Sequence, residues 1–140
     1  MSPRRFDTPR DAERAFYDAL ETNDLDALME SWGPGEDIVC VHPMGPALNG
    51  RAAVRDSWKA ICRSGQQLRF NVVDVQYEES ADLAVHVVRE EITMGKEKPR
   101  FAIMVATKVY RRSDNGWHLV LHHASPGPSG EHSTPDVTLH

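Results

Sequence analysis

A histidine, His42, closes the apolar run Ile38 to His42 and stands directly before Pro43. An imidazole at the end of a buried strand can be a core residue bonded to backbone. It can also face a pocket and act as a base near neutral pH. Arg89 follows Val85, Val87 and Val88 and precedes Glu90 and Glu91. A buried arginine there needs a carboxylate, from Glu90, Glu91 or a ligand. Glu90 competes with it, because a one-residue change of register exchanges which of the two points inward. Lys108 lies among apolar neighbours, either snorkelling at an edge or lining a pocket. His122 and His123 are adjacent in a strand, so they point to opposite faces and cannot share one pocket.

Other chemistry finds less support. A zinc site needs three or four convergent ligands, and only His42, His86, His123 and Glu90 are available, so no metal and no cofactor is expected. Cys40 and Cys62 sit in apolar segments and read as small core residues in a reducing compartment, although sequence alone leaves a disulfide open. Neither has a nucleophile setting. With 140 residues, 40% hydrophobic and 26% charged, the chain is one globular domain's worth. A net charge of -5 without a basic stripe argues against nucleic acid as a partner. No secretory leader or bilayer-spanning run is visible, so a cytoplasmic location and no membrane partner are expected.

The elements that position these groups follow from spacing. Thr8-Pro9-Arg10-Asp11 starts a helix bearing Ala12, Ala15, Phe16, Ala19 and Leu20 on one side. A second short helix carries Leu25, Leu28, Met29 and Trp32 and stops at Gly33-Pro34-Gly35. Asn49 caps a third helix, reaching Arg63, with Val54, Trp58 and Ile61 on one side. Trp32 and Trp58 are core residues that can double as pocket wall. Four long strands follow: Leu68 to Tyr77, Leu83 to Met94, Phe101 to Arg112 and Trp117 to Ser125. Helices first and then a meander mean an α+β fold with a curved antiparallel sheet packed on N-terminal helices. Leu68, Phe70 and Val72 share one phase, and Val73, Val75 and Tyr77 the other. Either a bulge lies between them or both faces are buried there. The last two strands are apolar on both faces, and helices can cover only one. A homodimer through the outer sheet face is therefore expected. Residues 1-7 read as an N-terminal arm, 8-126 as the domain and 127-140 as a flexible polar tail, with His132 and His140 outside the chemistry.

Two helices, a short strand ending before proline, a third helix and a meander closing on His-His-x-Ser resemble the NTF2-like superfamily, and within it the SnoaL-like branch. Cys40-Val41-His42-Pro43, Leu48-x-Gly50-Arg51, Trp58 and His122-His123-Ala124-Ser125-Pro126 carry the resemblance, which spans Thr8 to Pro126. It implies a cone with an internal pocket. The ketosteroid isomerases of this superfamily have an aspartate where this chain has His42. Their oxyanion tyrosine falls at Phe16, with Tyr17 one residue on, and their second oxyanion acid near Thr107. That catalytic set is therefore not expected here. The paired aspartates of limonene epoxide hydrolases have no match either; Asp74 and Asp82 read as solvated near a turn. The association domain of calcium/calmodulin-dependent kinase II is similar at its pocket. By that resemblance Arg89 and Lys108 match basic pocket positions, and Trp117, His123 and Ser125 match the closing strand. Parity and this likeness place His123 inside with Lys108 and Trp117, and His122 on the dimer side.

The expected function is a cone that binds a small, mostly apolar ligand with a carboxylate, enol or phenolate oxygen. Tyr17, Trp32, Trp58, Arg89, Glu90, Lys108 and His123 are the candidate lining. His42 is the candidate base for moving a proton next to a carbonyl, in an isomerase- or cyclase-type reaction. The alternative is a non-catalytic sensing or oligomerisation domain.

Overall fold

A computed structural model describes residues 4–128, so the tail that holds His132 and His140 lies outside the described residues. Helix α1 spans Pro9–Glu21, and the Thr8 hydroxyl accepts from the Asp11 amide at 3.0 Å. It buries Ala12, Phe16, Ala19 and Leu20, and with them the polar Glu13 and Tyr17. Helix α2, Leu25–Ser31, is capped by Asp24, which accepts from the Ala27 amide at 3.0 Å. Strands β1, Val39–Val41, and β2, Ala47–Asn49, form a short antiparallel pair before helix α3, Arg51–Arg63.

The cap of α3 differs from expectation. Asn49 is occupied as a β2 residue opposite Val39, and Gly50 takes the cap position with no side-chain bond. Glu36 supplies the missing acceptor from elsewhere in the chain, taking the Arg51 amide at 3.2 Å. Only glycine suits position 50: φ is 89°, and a Cβ would lie 2.9 Å from the Glu36 carboxylate.

The long strands are β3 Leu68–Glu79, β4 Leu83–Met94, β5 Arg100–Ser113 and β6 Gly116–Pro126. The sheet order is β2-β1-β6-β5-β4-β3, antiparallel except where β1 lies parallel to β6. It is curved and unclosed, with the helices on its inner face, as expected for the α+β cone. Trp32 is buried between α2 and β6, where the following Gly33 amide donates to the Leu119 carbonyl at 2.8 Å.

Two bulges set which side chains face the helices. In β3, Asp74 pairs with Val88 and Gln76 with Val87, so Val75 is the extra residue. The phase slip is thus real but later than the sequence suggests. Phe70, Val72 and Asp74 point inward, Val75 is thrust outward at 58% exposure, and Tyr77 returns inside. In β6, Tyr110 faces Leu119 and Val109 faces Leu121, leaving Val120 extra. This second bulge reverses the expected parity. Lys108 pairs with His122, which is buried, while His123 pairs with Thr107 and is exposed.

The described part of the expected arm is docked on the sheet. The Trp117 amide donates to the Phe6 carbonyl at 2.9 Å, and Phe6 is buried. The outer sheet face carries half-buried Val73, Val87, Ile103 and Val105 with exposed Val75 and Phe101, the last 72% exposed. Among the described residues nothing covers it, and no helix is long and apolar enough to cross a membrane.

Candidate functional site

Between α1, α3 and the inner sheet face lies a cavity of about 160 Å³. Its apolar walls include Phe16, Trp58, Phe70, Ile92 and Met104; its polar residues are His42, Glu90 and His122. Larger depressions lie on the outer face and at the strand ends, but among the described residues no buried polar side chain lines them. The inner cavity is the one where buried polar groups converge on an apolar space, which is what binds a small molecule.

Strand alternation decides between Arg89 and Glu90. The inner set of β4 is Ala84, His86, Val88 and Glu90, all buried. Arg89 therefore faces outward, and its Nε and Nη2 donate to Glu91 at 3.1 and 3.0 Å. Its expected pocket role is not met, and Glu90 occupies the site instead. The Tyr17 hydroxyl donates to Glu90 Oε2 at 2.6 Å. Burial raises the Glu90 pKa, against the opposing effects of the Lys108 charge and the Tyr17 hydrogen bond.

His42 lines the cavity with its ring edge-on to Trp58, centroids 4.6 Å apart. Its Nε2 lies 2.9 Å from Ser57 Oγ. The single Ser57 hydroxyl hydrogen is given to the Val54 carbonyl at 2.7 Å. His42 must therefore donate through Nε2, which leaves Nδ1 as its basic nitrogen. Burial lowers its pKa, so the ring is neutral at pH 7. His122 is fully inside, against Phe16 and Trp58, with Nδ1 unpartnered among the described residues. Burial and then the nearby Lys108 charge hold it well below the ordinary histidine value, so it too is neutral. His122 thus replaces His123 at the site, because the Val120 bulge exchanges the two faces.

Lys108 and Tyr17 stand just behind the wall rather than on it. The Lys108 Nζ is 3.9 Å from the ring centroids of both Phe16 and Tyr17. Trp32 is core and does not reach the cavity, whereas Trp58 does. Thr107 is on the outer face. Cys40 Sγ is 3.6 Å from His42 Nε2, but burial pushes its thiol up to about 12, so it is no nucleophile. Both cysteines are free thiols. Among the described residues no group of three or more His, Cys, Asp or Glu side chains is arranged to hold a metal ion.

Sequence reasoning missed a second polar group beneath the cavity. His86, fully buried, places Nδ1 2.6 Å from Glu13 Oε2 and Nε2 2.8 Å from Asp74 Oδ1. Arg10 grips the same Asp74 at 3.3 and 3.1 Å and stacks on Tyr77. The Tyr110 hydroxyl donates to Glu13 at 3.3 Å. Burial pushes Glu13 up, but His86, Lys108 and Arg10 outweigh it and hold the carboxyl below its usual range. Asp74 is held low mainly by Arg10, then by His86. One signal was available: Glu13 lies four residues before Tyr17, within the buried stripe of α1.

The model of a family described as SnoaL-like domain matches residues 10–128. Among solved structures, a provisionally assigned calcium/calmodulin-dependent protein kinase type II association domain from Thiobacillus denitrificans is 42% identical. That match covers 88% of this chain and 98% of the other, with a TM-score of 0.82. A provisionally assigned dehydratase of the NTF2-like family from Streptomyces avermitilis is 35% identical over 83% of this chain and 91% of that one, with a TM-score of 0.75. An NTF2-like protein of unknown function in nutrient uptake from Rhodospirillum rubrum, 23% identical over 86% and 99% with a TM-score of 0.69, shares the fold. No match was found among curated proteins.

Proposed function

The chain belongs to the SnoaL-like family of the NTF2-like superfamily, and from that premise we propose that its cavity binds a small, mostly apolar molecule with an enolisable carbonyl and moves a proton beside it. The observation that carries this reading is Glu90. It is a buried carboxyl on an apolar wall, bonded by a tyrosine hydroxyl, with its pKa raised by burial. Two neutral imidazoles, His42 and His122, share the cavity and can take or return a proton. The Lys108 charge behind the wall favours negative charge developing on the ligand oxygen. Glu90 thus replaces His42 as first base, and His42 serves the second transfer. A space of about 160 Å³ suits a ligand near the size of benzene. Loss of water from a β-hydroxy carbonyl compound begins with the same proton removal. The dehydratase assignment of the Streptomyces relative is consistent with this reading.

The test is deuterium exchange at the methyl group of acetophenone in D2O, followed by NMR. Wild type should accelerate exchange, and Glu90→Gln should lose roughly 10²-fold or more of that acceleration. Exchange no faster than buffer for acetophenone and a panel of smaller ketones would reject the proton-transfer reading.

The apolar outer face, with exposed Phe101 at its edge, supports a second proposal: it seats another copy of this chain. Sedimentation should give a dimer mass for wild type and a monomer mass for Phe101→Glu. A monomeric wild type at micromolar concentration would dismiss it. The two buried free thiols suit a reducing, cytoplasmic setting.

A further inference from the structure

Lys108 is held as a structural ammonium should not be. Its stem runs on the inner face of β5 between its cross-strand partners His86 and His122, and the residue is fully buried. A buried charge is normally paired and hydrogen-bonded. The Lys108 Nζ has no hydrogen-bond partner among the described residues. Glu13 and Glu90 act on it through space, but neither forms an ion pair within 4.0 Å. The Lys108 Nζ lies 3.9 Å from the ring centroids of both Phe16 and Tyr17. Burial lowers its pKa to about 8, opposed by the two carboxylates. More of it is therefore free amine at pH 7 than of an ordinary lysine. Three groups that line the cavity, Phe16, Glu90 and His122, also surround this amine.

We propose that Lys108 is a carbonyl-reactive amine that forms a Schiff base with a small aldehyde or ketone that passes from the cavity beyond the Phe16 ring to reach it. This rests on the reading above that the cavity admits such a molecule. The amine nitrogen attacks the carbonyl carbon, forming the C–N bond while the π electrons move to oxygen. The oxygen takes the proton lost by nitrogen, giving a carbinolamine. A second proton, the one the Glu90 carboxylate took from the Lys108 ammonium to free the amine, lets the oxygen leave as water and yields the iminium ion. No oxidant or reductant is consumed. The Glu90 carboxylate is left beside a cationic electron sink, which makes the neighbouring C–H more acidic.

Benzaldehyde with cyanoborohydride at pH 7 tests the proposal, because hydride delivered to the iminium carbon leaves a stable benzyl group. Peptide mass mapping distinguishes Lys108 from Lys59, Lys96 and Lys98, the chain's other lysines, and from the N-terminal amine. Benzyl alcohol, of matching size but unreactive, is run in parallel by thermal shift. We expect benzylation at Lys108 at least roughly tenfold faster than at the exposed Lys96 and Lys98, because its lowered pKa leaves more free amine. Glu90→Gln should slow the Lys108 label while leaving the others unchanged. If benzyl alcohol stabilises the protein but the label falls only on the other lysines, Lys108 is not reactive and the cavity reading stands. If benzyl alcohol gives no shift and Lys108 stays unlabelled, both fail together.

Discussion

Replacing Phe16 with alanine is expected to destabilise the fold by about 3–5 kcal/mol and to lower Tm by roughly 10 °C or more. Phe16 is fully buried and meets Tyr17 and Trp58 edge-to-face, with centroids 5.1 and 5.4 Å apart. It also contacts His122 and lies under the Lys108 ammonium. Truncation removes the transfer energy of a full aromatic ring and the aromatic contacts. It leaves a void that opens into the existing cavity. Phe16→Leu keeps most of the volume and should cost less than about 1.5 kcal/mol. Urea midpoints of the two variants against wild type measure the contrast. Two equal, small shifts would mean that α1 is not held to the sheet through this ring.

His86→Leu should cost a similar amount at neutral pH, about 3–5 kcal/mol, for a different reason. Both ring nitrogens of His86 lie on carboxylate oxygens. Removing it leaves Glu13, which is buried, with the 3.3 Å bond from Tyr110, the Arg10 guanidinium at 3.7 Å and the Lys108 charge. Asp74, with its side chain 53% exposed, retains Arg10 and water and adds little. The pH dependence follows from the direction of the shifts. Glu13 and Asp74 are held below their unfolded values. Their stabilisation is complete above the ordinary carboxyl pKa near 4 and is lost as pH falls through the lower folded values. The gap between wild type and His86→Leu should thus be open above about pH 4 and shrink below it. A gap that does not change with pH would show that Glu13 is not ionised in the native state.

The elements were legible because each repeats a local pattern. The α1 stripe, the Thr8 boundary and the four long strands all lie near where spacing puts them. Even the β3 bulge left a trace, since polar residues around Val75 mark the phase. The β6 bulge left none. From Trp117 to His122 every side chain is apolar or aromatic, so an extra residue disturbs no alternation. The error over His122 and His123 follows from that silence. Glu90 was legible only as an alternative to Arg89, since both parities present apolar neighbours. The Arg10–Asp74–His86–Glu13 group was not legible at all. Its members come from α1, β3 and β4, and only the register of two strands and the packing of a helix bring them together.

The extra residue at Val120 also bears on how relatives are compared. Matching residue types column by column treats the two histidines as neighbours with equal claims, and a relative that keeps only one of them looks half-similar either way. Yet the retained imidazole is inside or outside according to whether that strand carries the insertion. Transfer of a ligand or an activity between members of this family therefore turns on counting residues between Tyr110's partner Leu119 and the first histidine, before asking which side chains agree.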